Sequence, residues 1–233
     1  HRLFTAKWKD KEGKEFSDTI FDLLRSTSEQ YRDYVLSVFE DSASIYKREE
    51  VQDLILDSLQ LTFNKKKQLW HNTFKTEYSH PLLGYVPKVA AGVMVGSEMR
   101  DQSAVACGAR HVMGLLGMYT EDLKLPNFIR PWELSKGNIS AVASALEIVT
   151  VAHQAAVNFN NVMGRPILCG FFRTLSVPSG EGEDGRQRIH GFHKPLMLTG
   201  GVGRIAESAR IQEKHSAGMP IILLGGESMP VSV

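Results

Sequence analysis

Three carboxylates fall within one stretch of the chain, Glu77, Glu98 and Asp101, and oxygen donors of this kind are what a magnesium ion takes. Acids so placed can equally be solvated or paired with arginine, and both readings stand. A second chemically suggestive run is Gly200-Gly201-Val-Gly203, directly after the apolar residues 195–199. A glycine turn there could cradle a phosphate or be only a turn. The cysteines, Cys107 and Cys169, lie far apart with no Cys-x-x-Cys and no paired histidine, so neither zinc nor a disulfide framework is signalled. A soluble protein of a reducing intracellular compartment is expected. His153 reads as an ordinary helix residue, and Met94, Met99, Met113 and Met118 read as core filler.

The elements that would hold these groups follow from periodicity and from glycine and proline. Residues 73–78, which carry Glu77, alternate like a strand that runs into a loop at 81–87, which proline and glycine break. Residues 105–118 are small and apolar with three glycines. Each interior glycine costs a helix about 1 kcal/mol, so a tightly packed strand pair suits them better. Residues 125–133 hold Pro126 and Pro131 and must be irregular. A long helix is predicted over 138–158, where Val142, Ala145, Leu146, Val149, Ala152, His153 and Ala156 follow a 3.6-residue period and Ser140 or Asn138 stands near the cap. Strands are expected at 167–172, 195–199 and 221–224, with an exposed loop at 179–187. Upstream, 3–8 alternate like a strand, 10–13 read as a turn, and Ser17 caps a helix over 18–25. A second helix is expected at 30–38, and 51–63 are partly helical or become strand near their end.

The chain has 233 residues, 42% hydrophobic and 23% charged, a composition that builds packed domains. Its formal net charge of +1 supplies no global basic field for nucleic acid and no acidic tail. Lys65-Lys66-Lys67 and Lys7-Trp8-Lys9 are short and read as solvated loops. No apolar run reaches the roughly 18 residues of a membrane span. The first residue is His1, so any targeting segment would lie outside this sequence.

Several stretches together bring a family into view. Asn160-Asn161-Val-Met-Gly164-Arg165-Pro166 followed by Gly170-Phe-Phe-Arg173-Thr174 resembles the Asn-Asn-x-x-Gly-Arg-Pro segment and Gly-Tyr-Phe-Arg-Thr strand of the phosphoribosylformylglycinamidine synthases. Gly191-Phe-His193-Lys194-Pro195-Leu-Met-Leu-Thr-Gly200-Gly201-Val-Gly203 is similar to their Gly-Tyr-His-Lys-Pro-Ile-Met-Leu-Ala-Gly-Gly-Ile-Gly. Pro131-Trp132-Glu133 and the opening His1 to Trp8 fit as well. The resemblance implies an α/β fold of the aminoimidazole ribonucleotide synthetase type, a two-domain unit with residues 1–133 as the first domain and 134–233 as an incomplete second. A full enzyme of the family also carries a second such unit and a glutaminase domain, which are not in this chain.

The resemblance further implies ATP and magnesium as cofactors of an active member, and a reaction that activates an amide oxygen before adding ammonia. Counting back from Arg100-Asp101 without gaps places Lys75 on the family's nucleotide-site lysine, Glu77 on its metal-binding glutamate and Pro87 on a family proline. Asp101 is the second candidate metal ligand. In the same register Ser79 stands where the family has its catalytic histidine, Tyr78 where it has a threonine and Pro81 where it has a second histidine. Serine does not titrate near neutral pH, so the acid/base role is unfilled there. His80, one residue over, fills it only if the register shifts, because neighbouring strand residues face opposite sides.

The glycine segment that approaches phosphate in the family corresponds to Gly92-Val-Met-Val-Gly96-Ser97, where branched side chains now intervene, and Gly108 remains from a later glycine motif. Arg165, His193 and Lys194, with Gly200, Gly201 and Gly203, would be ancestral substrate contacts. The expectation is therefore a catalytically degenerate relative kept as a protein-binding or structural module in a larger assembly. The family has such members, including gammaherpesvirus tegument proteins. The alternative is a working ATP-dependent synthase converting formylglycinamide ribonucleotide to the amidine.

Overall fold

The first third of the chain departs most from these expectations. In the computed structural model, which describes residues 2–57, 59–79, 81–133, 142–185, 187–212 and 214–227, the opening is a short helix, α1 (Arg2–Thr5), rather than a strand. Only Trp8–Lys9 (β1) pairs, with Glu15–Phe16 (β2), and the Trp8 and Phe16 rings stack at 3.9 Å. The turn between them is the expected one, with Gly13 at φ +83°. Helix α2 (Ile20–Glu29) starts two residues beyond the expected Ser17 cap. Thr19 accepts from the Asp22 N–H while the Asp22 carboxylate accepts from the Thr19 N–H, a reciprocal cap that Ser17 could not form. Instead of a second helix, residues 31–34 turn and Val35–Ser37 (β3) pairs with Ser44–Tyr46 (β4).

Residues 50–57 form β5 (Glu50–Asp57), which pairs antiparallel with the first half of an 18-residue strand, β6 (Thr62–Ser79). Leu54, Leu56 and Phe63 stay exposed on this ribbon, so its apolar residues never settle into the clean alternation that would have marked a strand. The expected strand at 73–78 is the end of β6, but helix α3 (Pro81–Tyr85) stands where a loop was expected and α4 (Pro87–Ser103) follows it. Pro87 occupies the first helical position, where proline starts a helix instead of breaking it.

Residues 110–120 make one strand, β7 (Arg110–Thr120), where a strand pair was expected. Residues 125–133 are irregular, held by the Glu133 carboxylate, which accepts the N–H groups of Lys124 and Arg130. The predicted long helix is α5 (Ala145–Val162), later than expected at both ends. Its cap is Ser144, accepting from the Glu147 N–H at 3.2 Å, while Asn138 and Ser140 lie outside the described residues. Strand β8 (Ile167–Thr174) stands as expected, and of the expected loop residues 182–185 remain as the tip of a hairpin of β9 (Ser176–Glu181) and β10 (Gln187–Gly191). The last strand, β11 (Leu196–Ala206), runs straight through its glycines. Residues 221–224, where a strand was expected, are exposed and irregular.

The main sheet has the order β3-β4-β6-β11-β7-β8, with β5 attached to β6. Strands from residues 1–133 and from 134–233 share it. All its pairings are antiparallel except β7 with β8. Helices α4 and α5 pack on one face. Leu83, Met94, Val95 and Met99 meet Leu116, Met118, Met197, Ile148, Ala152 and Ala156 there, so the fold is α/β with its core between sheet and helix pair. Among the described residues no helix is long and apolar enough to cross a membrane.

Candidate functional site

Lys75 and Glu77 are two residues apart on β6 and so share its face toward α4. Asp101, near the end of α4, comes down on the same spot. The Lys75 ammonium lies 2.9 Å from Glu77 Oε1 and 3.0 Å from Asp101 Oδ2, and Arg100 adds a contact of 2.9 Å to Asp101. Burial acts to lower Lys75, but hydrogen bonds to Glu77 and Asp101 outweigh it and hold the ammonium above its ordinary value. Burial likewise acts to raise Asp101, and the Lys75 and Arg100 hydrogen bonds bring it below the usual carboxylate range. Two of the three sequence-predicted acids are thus brought together, with a lysine between them.

Glu98 takes no part. It is wholly buried, and its Oε2 accepts from Arg165 Nη2 at 2.6 Å with Arg165 only 1% exposed. Burial pushes the Glu98 carboxyl up, and the guanidinium opposes that shift. Arg165 Nε donates to Asn160 Oδ1 at 2.7 Å, and Asn160 Nδ2 donates to the Ala156 carbonyl at 2.8 Å, so the end of α5 is locked to the middle of α4. Among the described residues no group of three or more His, Cys, Asp or Glu side chains is placed to hold a metal.

The glycines lie elsewhere than in turns. Gly92 and Gly96 are inside α4, one helical turn apart, and both face Phe159 of α5. Gly200, Gly201 and Gly203 are in mid-strand on β11. A Cβ on Gly201 would collide with Glu98 Oε1 and stand 2.5 Å from Arg165 Nη1. Gly201 is what lets the buried ion pair rest on the sheet. Gly108 does make a turn, at φ +107°.

The remaining predicted residues are dispersed. His193 contacts Glu121 Oε2 through Nδ1 at 3.0 Å and the Ile189 carbonyl through Nε2 at 3.1 Å. Lys194 is exposed while Arg165 is sealed in the core, so the three do not meet a common anion. His80 lies outside the described residues, and Cys107 and Cys169 are free and exposed.

Sequence reasoning missed the pair of His71 and Glu207, which are far apart in the chain. His71 is 2% exposed and its Nε2 bonds Glu207 Oε2. Hydrogen bonds from Arg210 first and His71 second hold the Glu207 carboxyl down to about 2. A cavity of about 540 Å³ beside α2 is lined by the carboxylates of Asp18, Asp22, Glu29 and Glu40 together with Arg25 and Arg32, so it is acidic on balance.

No family model matches the chain. Solved structures that resemble it include thiamine monophosphate kinase from Aquifex aeolicus, 10% identical over 79% of this chain and 41% of that one, with a TM-score of 0.40. PurLQS from Thermotoga maritima is 12% identical over 78% of this chain and 24% of that one, with a TM-score of 0.47. A HypE–HypF complex is 13% identical over 78% of this chain and 43% of that one, with a TM-score of 0.35. The chain spans less than half the length of each of these proteins. Likenesses at this level assign no residue a role.

Proposed function

We propose that the chain is a catalytically degenerate relative of the formylglycinamidine synthases, serving as a protein-binding or structural module in a larger assembly. The observation that supports this is the state of residues 87–103. The segment aligned with the family's phosphate-approach glycines is the interior of α4. Interior helix N–H groups are spent on carbonyls one turn back, so Gly92 and Gly96 have no bare amide to give a phosphate. Phe159 also stands over Gly96.

The other parts of a nucleotide site fit no better. A magnesium ion at Glu77 and Asp101 would have to displace the Lys75 ammonium that already neutralises them. Glu98 is committed to Arg165. Ser79, at the position of the family's catalytic histidine, has no proton to exchange near neutral pH. In this reading residues 1–133 and 134–233 are the remnants of the two synthetase domains.

Calorimetric titration of the folded chain with Mg-ATP tests the reading. Silence is the expected result. Micromolar binding that disappears in Asp101→Ala would overturn it in favour of a working synthase.

A further inference from the structure

Side chains alternate along β11, so Gly201 and Gly203 face Glu98 and Gln102 of α4 while Val202 and Arg204 face the other way. On that far face lies a cavity of about 450 Å³, lined by Arg48, Arg110 and Arg204 over a floor that includes Val202 and Met113. Its volume falls in the range of small-ligand pockets, roughly 300–1,000 Å³. Arg110 and Arg204 are direct cross-strand partners, an arrangement that costs stability because like charges stand opposite one another. Both guanidinium groups are nonetheless held over the nearly buried Trp70 ring, at 5.5 and 4.6 Å from its centre. Arg48 reaches in beside Asn72.

Asp53, 3.1 Å from Arg204, is the one carboxylate paired with these arginines among the described residues; Arg48 and Arg110 have none. The β7 register breaks opposite Val202 and Gly203, and a bulge of this kind re-aims side chains. The bulge adds Val112 to the cavity lining, whereas the His111 ring turns toward α4, its Nδ1 3.3 Å from Ser103 Oγ. A Cβ on Gly203 would stand 2.6 Å from the Arg110 carbonyl, so this close approach of β11 to the bulge requires glycine.

We propose that this cavity is an anion site for a small phosphomonoester, with the phosphate between Arg48, Arg110 and Arg204 and the organic part on Val202 and Met113. Three guanidinium charges against one carboxylate leave a double positive charge, which matches a phosphate carrying about −1.5 to −2. Planar guanidinium donors also suit phosphate oxygens in pairs. The bound anion would offset the repulsion between Arg110 and Arg204. The site is on the opposite side of the sheet from Lys75, Glu77 and Asp101, so it stands whether or not that side holds a nucleotide.

The test is calorimetry on the folded chain with ribose 5-phosphate and inorganic phosphate, and with ribose as control. Saturable binding of ribose 5-phosphate is expected, with none for ribose. Arg48→Gln and Arg110→Gln should each weaken it by about tenfold or more, the worth of a hydrogen bond to a charged group. Arg48→Gln keeps a donor for Asn72, and Arg110→Gln gives up a ring contact with Trp70 but relieves the repulsion from Arg204, so both variants should remain folded, and Asp101→Ala should bind as the parent does. Absence of binding to either phosphate at millimolar concentration, or undiminished affinity in Arg110→Gln, would overturn the proposal. So would tighter binding of a single-stranded oligonucleotide than of ribose 5-phosphate, lost in the same variants, since the surface would then be one for nucleic acid.

Discussion

Phe159 of α5 stands over Gly96 of α4, its Cζ 3.0 Å from where a β-carbon would be, whereas the same ring clears the corresponding point on Gly92 by 4.0 Å. The two glycines should therefore answer differently to alanine. Gly92→Ala should stabilise the fold by up to about 1 kcal/mol, the helix gain of alanine over glycine. Gly96→Ala must also push the ring aside, and overpacking costs about 1–3 kcal/mol, so a net loss is expected. Urea midpoints of the two variants check this; equal effects would contradict the helix contact.

Gly201→Ala should be among the most damaging single changes in the sheet. The added methyl enters the space of Glu98 and Arg165, which cannot separate without exposing a buried charge. A loss of about 3 kcal/mol or more is expected, read as an early thermal transition or as loss of soluble protein.

The Glu98–Arg165 pair itself should show strong coupling. Removing either partner leaves the other charged and buried, at about 3–5 kcal/mol. Glu98→Leu with Arg165→Met removes both charges and should cost far less than the sum of the two single changes. A double-mutant cycle from chemical denaturation measures the difference, and simple additivity would mean the two charges do not meet.

Acid stability should carry a signature of Glu207. Its folded carboxyl is depressed from 4.5 to about 2 by Arg210 and His71. The associated stabilisation is present above pH 4.5 and is lost as pH falls through that window toward 2. Glu207→Gln keeps an acceptor for His71 but not the charge. The stability gap between parent and variant should close between pH 4.5 and about 2, and a gap that stays constant would exclude the linkage.

The sequence was most legible where one residue's environment decides its type. Helix α5 shows its 3.6-residue period because one stripe, Ala145, Ile148, Ala152 and Ala156, is buried along its whole length. The 73–78 part of β6, β8 and the start of β11 were legible from local strand pattern. Helix α4 was not, because Gly92 and Gly96 look like backbone freedom and are instead room for Phe159. The same confusion made the β11 glycines look like a turn. In β5 burial does alternate, but Leu54 and Leu56 stand on the exposed face and Asp53 and Asp57 on the half-buried one, so residue type does not follow it.

At the site, Lys75, Glu77 and Asp101 could be named together because the resemblance places all three in one register; that Asp101 is delivered by the end of a helix was not foreseen. Glu98 and Arg165 could not be paired in advance; only the packing of α4 against the end of α5 makes them neighbours, and what looked like a metal ligand and an anion contact neutralise each other. Arg48, Arg110 and Arg204 carried no local signal, since three separate strands or strand ends deliver them.

Strand β11 sits between β6 and β7, so that Gly201 faces Lys75 on one side and Gly114 on the other. Two strands made early thus have to wait for one made late, and the loop that closes between them is long. Closing long loops before contacts repay the lost chain entropy is what makes such topologies slow to fold. Until β11 is made, a nascent chain holds β6 and β7 with edges that lack their partner, and unpaired strand edges are where aggregation starts.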